Sequence, residues 1–284
     1  MGRPSPDSAL TSLDFVAFDT ETTGLSPVAA RLVELSGVKF RLDGAIVSNF
    51  SQLIDPETRI PADTTAIHGI TDEMVRGQPA VREVIPQFLD WIGSDAVLLA
   101  HNAPFDLGFL EIALARLKLG VPENPILDTL VLARALLPDA PNYQLRTLVE
   151  YLELETGGYH RALADSNHAR HLLVKLMSMH PQIDTWGHLQ EVAAMLSFTD
   201  VTEEGFEQLR SMPIGFEWIR DAIDGQTPIR FLYRNERISA RTVTPQSVHA
   251  WRGNVYLNAF CHMFHAERTF RLDRILEFEL LEKS

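Results

Sequence analysis

Asp19 and Glu21 stand two residues apart where an apolar run, Phe15-Val16-Ala17-Phe18, gives way to Thr22-Thr23-Gly24-Leu25. If the run is a strand, both carboxylates emerge on one face, because side chains alternate along it. Two acids forced together at the edge of a buried sheet are unfavourable unless something neutralises them, and a divalent cation does so well. A pair of solvated strand-end acids is the plainer alternative for Asp-x-Glu alone. Further along, His101-Asn102-Ala103-Pro104-Phe105-Asp106 follows a second apolar run, and His160-Arg161-Ala162-Leu163-Ala164-Asp165 joins a loop histidine to an aspartate on the next helix. Asp106 falls in a first helical turn that points back to the carboxyl end of a strand, where open α/β sheets place their ligands. A favourable helix-start charge is the alternative there. Oxygen ligands alone suit Mg²⁺ or Mn²⁺ rather than zinc. Four carboxylates suffice for two ions roughly 3.5–4 Å apart, which clamp the attacking and leaving oxygens of a phosphoryl displacement.

The elements that must position these groups can be read from patterning. Leu13 to Asp19, Arg31 to Leu42 and Ala45 to Ile54 read as strands, the last two joined at the hairpin signal Asp43-Gly44. Residues 81–92 have helical spacing with Pro86 near the first turn, and Ala96 to Ala100 is a strand of the buried type. A helix over 105–119 has Phe105, Phe109, Ile112 and Leu117 as expected core contacts, and helices follow over 126–137, 143–153 and 162–179. Pro181 ends that series. Residues 181–213 read as an acidic connector with a helix near 185–198, and from Pro228 the texture turns β-rich, with a turn at Arg252-Gly253-Asn254. The 12 residues at the N-terminus read as a disordered leader.

At 284 residues with 45% apolar and 22% charged side chains, the chain has the composition of a globular protein of two domains. No apolar run reaches the ~18 residues of a membrane helix, so no membrane partner is expected. The single cysteine, Cys261, excludes an internal disulfide and a zinc site of paired thiolates, and a reducing, cytoplasmic setting fits. The net charge of −13 divides as −9 over residues 1–180, −5 over 181–213 and +1 over 214–284. Acidic character of this kind does not exclude a phosphate-bearing partner, because bound cations supply the positive charge.

Phe18-Asp19-Thr20-Glu21-Thr22-Thr23-Gly24-Leu25, His101-Asn102-x-x-Phe105-Asp106 and His160-x4-Asp165 resemble, in order, the three motifs of the DEDDh 3′–5′ exonucleases. With Ala66-Ile67-His68-Gly69-Ile70-Thr71, the branch most similar is that of the proofreading epsilon subunits of bacterial DNA polymerase. The resemblance runs over about residues 13–180. It implies an α/β, ribonuclease H-like exonuclease fold, a mixed central sheet flanked by helices. It also implies Asp19, Glu21, Asp106 and Asp165 as ligands of two divalent ions (Mg²⁺ or Mn²⁺), with His160 as general base. The tyrosine branch of the superfamily carries its base four residues before the last aspartate, a position held here by Arg161; Tyr159 is one residue outside the histidine slot. The implied contacts to a 3′-terminal nucleotide are the backbone around Thr20, Thr22 and Thr23, with Leu25, His68, Asn102 and Phe105. Phe105 and Leu25 read equally as core residues, Asp128 reads as a structural cap, and His168 and His171 as helix-surface residues. An imidazole base makes activity fall as the solution becomes acid enough to protonate it.

Residues 214–284, with Arg241-x3-Pro245, Trp251, Tyr256-Leu257 and Phe270-Arg271-Leu272-Asp273-Arg274-Ile275, resemble the WYL domain, a small Sm/SH3-like β-barrel. That resemblance implies a nucleic-acid or nucleotide-like ligand. Five arginines between 241 and 274 face only Glu267 and Asp273, and aromatics interleave with them, as on a single-strand platform. Arg241, His249, Trp251, Arg268, Arg271 and Arg274 are the candidates. The expected partner is nucleic acid with a free 3′ end, DNA favoured over RNA. A 3′–5′ exoribonuclease, or an end-binding regulator without catalysis, are the alternatives; the intact set of four carboxylates and a histidine argues against the latter. A polymerase partner is possible but not indicated, because no epsilon-type polymerase-binding tail is recognisable in residues 181–284.

Overall fold

The computed structural model describes residues 4–154, 160–199, 201, 219–234, 238–251 and 254–281, without the side chains of His249, Trp251 and Ala266. Tyr159, the turn at Arg252-Gly253 and much of the expected connector lie outside the described residues. The chain divides into two compact units. The first comprises Met1–Thr22, Leu32–Arg59 and Thr65–Asp200, and the second comprises Thr23–Arg31, Ile60–Thr64 and Val201–Ser284.

The first unit is built on a mixed sheet of order β3-β2-β1-β4-β5. Its strands are β1 (Phe15–Thr22), β2 (Leu32–Phe40), β3 (Ile46–Leu53), β4 (Val97–Ala100) and β5 (Ile126–Asp128). β1 pairs antiparallel with β2 and parallel with β4, and β4 pairs parallel with β5. Phe15 through Phe18 are buried on both faces, as the apolar run requires. Helix α3 (Val81–Ile92) brings Phe88 against Phe18 and Phe50. On the other face, α7 (Ala162–Met179) buries Leu172, Leu173 and Leu176 with Phe15, Ala17 and Val38. Gly37 on β2 lets α3 approach the sheet: a Cβ there would lie 3.0 Å from both the Ala17 carbonyl oxygen and the Trp91 ring. Helix α4 (Pro104–Leu117) begins with proline in its first turn, where a missing N–H is harmless.

Several elements differ from the sequence reading. Residues 126–137 split into β5 and α5 (Thr129–Leu136), because a parallel strand of three residues is too short to show a period of its own. His68 ends a short helix, α1 (Ala62–His68), for which no element was expected; α2 (Asp72–Val75) follows, capped by the Thr71 hydroxyl accepting from Met74 N–H. Phe109 and Ile112 are core residues, but Phe105 and Leu117 are only half-buried. Part of the supposed leader is fastened rather than loose. Leu10 N–H donates to Asp184 O at 2.8 Å, Trp186 N–H to Ser8 O at 2.9 Å and Gly187 N–H to Pro6 O at 2.8 Å. Leu10 and Trp186 are drawn in because both join the hydrophobic core, as does Leu189 of α8 (Trp186–Val192). The first unit therefore extends past residue 180.

The second unit carries α9 (Arg220–Asp224) and an all-antiparallel sheet of order β10-β6-β7-β8-β9. Its strands are β6 (Ile229–Arg234), β7 (Ile238–Trp251), β8 (Asn254–Cys261), β9 (Ala266–Arg271) and β10 (Ile275–Leu280). The last strand returns beside the first, and Phe231, Tyr233 and Phe270 meet edge to face at its core, the small β-unit that the alternation predicts. No helix among the described residues is long and apolar enough to cross a membrane.

Candidate metal centre

The end of β1 and the start of α7 bring Asp19, Glu21 and Asp165 together, with one carboxylate oxygen of each lying within 4.8 Å of the others. All three are half-buried. Burial, followed by the neighbouring Asp106, Asp165 and Glu21 carboxylates, raises the Asp19 pKa well above its ordinary value. Glu21 is pushed to about 8, first by burial and then by Asp165 and Glu34. Acids that cannot ionise together at neutral pH are a fitting cradle for hard cations, and the all-oxygen donor set suits Mg²⁺ or Mn²⁺.

Asp106, in the first turn of α4, stands outside that trio. Its Oδ1 accepts from the Thr20 N–H at 2.9 Å and the Thr20 hydroxyl at 2.7 Å. Burial outweighs those bonds and lifts its pKa to about 7. Its charge bears directly on Asp19.

Asp165 is fixed from both sides. Its Oδ2 accepts from the His160 backbone N–H at 3.0 Å, and its Oδ1 lies 3.3 Å from His168 Nδ1. His160 itself is exposed, with φ of 62°, a left-handed conformation uncommon outside glycine.

The exonuclease family (RNase_T) matches residues 16–173, more than half of the chain, and the WYL domain matches residues 216–280. The chain belongs to the exonuclease family. A DNA polymerase III PolC-type of Halalkalibacterium halodurans is 41% identical over 177 residues, 62% of this chain but 12% of that protein. The Bacillus subtilis counterpart is 40% identical over 164 residues, 57% of this chain and 11% of that protein. The chain thus matches only a small part of these curated relatives. Escherichia coli exonuclease I in complex with a dA16 oligonucleotide shares the fold with a TM-score of 0.57 at 15% identity, over 88% of this chain and 55% of that one.

The residues expected at a nucleotide fare differently, Thr23 and Leu25 among them falling in the second unit. Thr20 is buried and spends both polar groups on Asp106 instead of facing outward. Thr22 is buried as well. Thr23 closes a local turn, its N–H donating to Arg31 O and its Oγ1 accepting from Arg31 N–H, both at 2.9 Å. Leu25 is 50% exposed, so it is not a core residue. His68 is only 4% exposed; its Nδ1 accepts from Ile70 N–H at 3.0 Å, and burial lowers its pKa. Asn102 is exposed at φ of 65°, and its N–H donates to Asp128 Oδ1 at 2.9 Å. Asp128 also accepts from Leu130 N–H, the cap expected of it. Phe105 packs on Phe109 with ring centroids 5.2 Å apart.

His168 corrects the sequence reading, because it is buried against Asp165 rather than placed on a helix surface. It stands four residues before the buried Leu172, an i,i+4 spacing that could have revealed the burial. His171 is half-buried, with its Nε2 against Arg170 Nη2. Glu34 escaped sequence reasoning altogether, although an acid inside the apolar run Leu32–Phe40 was a signal.

Of the C-terminal candidates, Arg268 lies 3.7 Å and Arg241 5.5 Å from the centroid of the Phe264 ring. Arg271 grips Asp273 through two bonds of 3.1 and 2.7 Å, which raises the arginine and lowers the aspartate pKa. Arg274 is half-buried and adds to the field on Asp273.

Proposed function

We propose that the protein is a metal-dependent 3′–5′ exonuclease that removes nucleoside 5′-monophosphates from the 3′ end of DNA, single-stranded by preference. The Asp19–Glu21–Asp165 cluster carries this reading: three carboxylates lie within 4.8 Å, and the burial and neighbouring charge that raise Asp19 and Glu21 are relieved by a bound cation. Asp19, Glu21, Asp106 and Asp165 would hold two divalent ions, which when bound acidify a water and take up charge on the leaving 3′ oxygen. His160, exposed beside the cluster, takes the proton of the attacking water on its imidazole. Thr20 keeps Asp106 turned to the strand end, and the His160 N–H does the same for Asp165. Asn102, exposed in the first unit, is left for the terminal nucleotide. The WYL domain is proposed to bind the strand or a regulatory nucleotide.

The test uses 5′-labelled single-stranded DNA and RNA of one sequence with Mn²⁺, Mg²⁺ or EDTA. A ladder shrinking from the 3′ end of DNA, dependent on metal and lost in Asp19→Ala, is the expected result. A ladder on RNA alone would make the protein an exoribonuclease, and intact label with retarded migration would make it an end-binding protein.

A further inference from the structure

Glu34 lies directly opposite Glu21 in the β1–β2 ladder, and like charges so placed destabilise a strand pair. Its side chain is only 2% exposed. A free fifth carboxylate here would take up a proton or compete for a cation. Instead its Oε1 accepts from Arg161 Nη2 at 2.8 Å, and its Oε2 accepts from Arg161 Nε at 3.1 Å and from Ala162 N–H at 3.0 Å. The planar guanidinium fork suits a carboxylate through two bonds at once. Arg161 and Ala162 directly follow His160 in the chain. The histidine is therefore held between two ties, its own N–H to Asp165 and the next two residues to β2. These ties maintain a left-handed backbone that a non-glycine residue adopts only at a cost.

We infer that Glu34 and Arg161 form a positioning pair that fixes the backbone of His160 beside the carboxylate cluster and keeps Glu34 out of the cation-binding set. The inference rests on the exonuclease reading. It gives Arg161, in the slot where the tyrosine branch carries its base, a mechanical task in place of a chemical one.

The test compares Arg161→Gln, Arg161→Lys, Glu34→Gln and the double variant Glu34→Gln/Arg161→Gln in the full chain. It reads kcat and KM on a labelled oligonucleotide, Mn²⁺ binding by paramagnetic resonance, and amide exchange over residues 160–170. Arg161→Gln is expected to lower kcat about 30-fold, as a sub-ångström misplacement does, with KM and Mn²⁺ affinity within about threefold. Exchange at the start of α7 quickens. Arg161→Lys recovers part of kcat by keeping the charge without the fork, and the double variant is no worse than Arg161→Gln alone. Retention of kcat within twofold in Arg161→Gln, or unchanged exchange, overturns the inference. A parallel loss of Mn²⁺ affinity also overturns it, because the pair would then belong to the cation site. Should Glu34→Gln fail to fold, the partly exposed Arg161 variants still decide. If the wild type shows no metal-dependent cleavage, the exonuclease reading fails by itself, while the exchange measurement still tests the pair.

Discussion

The two five-stranded sheets handle charge in opposite ways. At the carboxyl end of β1 the first sheet collects more acids than the nearby Arg161, itself bound to Glu34, can match, and Glu21 is pushed to about 8. In the second sheet unit the ions are matched internally: Arg271 holds Asp273 in two bonds, and each is stabilised in its charged form. One arrangement carries an unmet demand for positive charge and is poised for chemistry. The other is electrostatically finished, which suits a surface that binds without transforming.

The largest effects are expected where the demand is concentrated. Asp19→Ala should lower turnover by about 10³-fold or more, since a lost ion removes several kcal/mol of transition-state stabilisation. Titration with Mn²⁺ should show weakened binding in that variant. His160→Ala should lose about 10²–10⁴-fold in turnover with Mn²⁺ binding preserved, the signature of a lost base rather than a lost ligand. Asp273→Asn, the control in the second sheet unit, should leave turnover within twofold. An Asp273→Asn loss as large as that of Asp19→Ala would break the contrast.

The same contrast has a pH signature. In metal-free folded protein Glu21 keeps its proton up to about 8, whereas in the unfolded chain it releases it near the ordinary 4.5. Between those values the folded state binds more protons, so this contribution to stability is present at low pH and is lost as pH rises through the window. Glu21→Gln should therefore raise the metal-free Tm at pH 8 by roughly 3 °C, and Mn²⁺ should restore the wild type with release of protons. Thermal melts in EDTA from pH 5 to 8 check it. Asp273 has the opposite sign: its pKa is lowered, so its small contribution is lost only as pH falls below the usual carboxylate range.

What the sequence made legible follows the same line. Asp19 and Glu21 were readable because the period of a strand puts both on one face, and Asp165 because it stands in the first turn of a helix; the fold assembles all three. Glu34 was not readable as a partner of Arg161, since the two lie 127 residues apart and nothing local joins them. Thr20, placed by resemblance at the nucleotide, is bound through its N–H and hydroxyl to Asp106 from α4, a partner that strand alternation does not reveal. Leu10 sits in a proline-marked stretch that looks unstructured until the core reaches out to it. In the second unit the alternation of β8 was legible, but which arginines are already paired was a property of its turns, as the Arg271–Asp273 grip shows.

The smallest expected effect lies on that second unit and sharpens the comparison from the other side. Phe264 is 43% exposed, with Arg241 and Arg268 at 5.5 and 3.7 Å from its ring centroid. Arg268 is itself held by Asp63 at 3.1 Å, and the ring with Arg241 beside it presents a stacking face and phosphate-binding charge. The double variant Arg241→Gln/Arg268→Gln should raise the oligonucleotide KM about fivefold at low salt and leave kcat unchanged. The salt dependence of binding should fall by roughly 0.7 in slope for each phosphate that is no longer neutralised. Arg271→Gln, whose guanidinium is already committed to Asp273, should do less than either. Oligonucleotide binding at two salt concentrations separates these outcomes. A drop in kcat with KM unchanged would mean that the finished charges of the second unit take part in the chemistry of the first, and the division of labour between the two sheets would no longer stand.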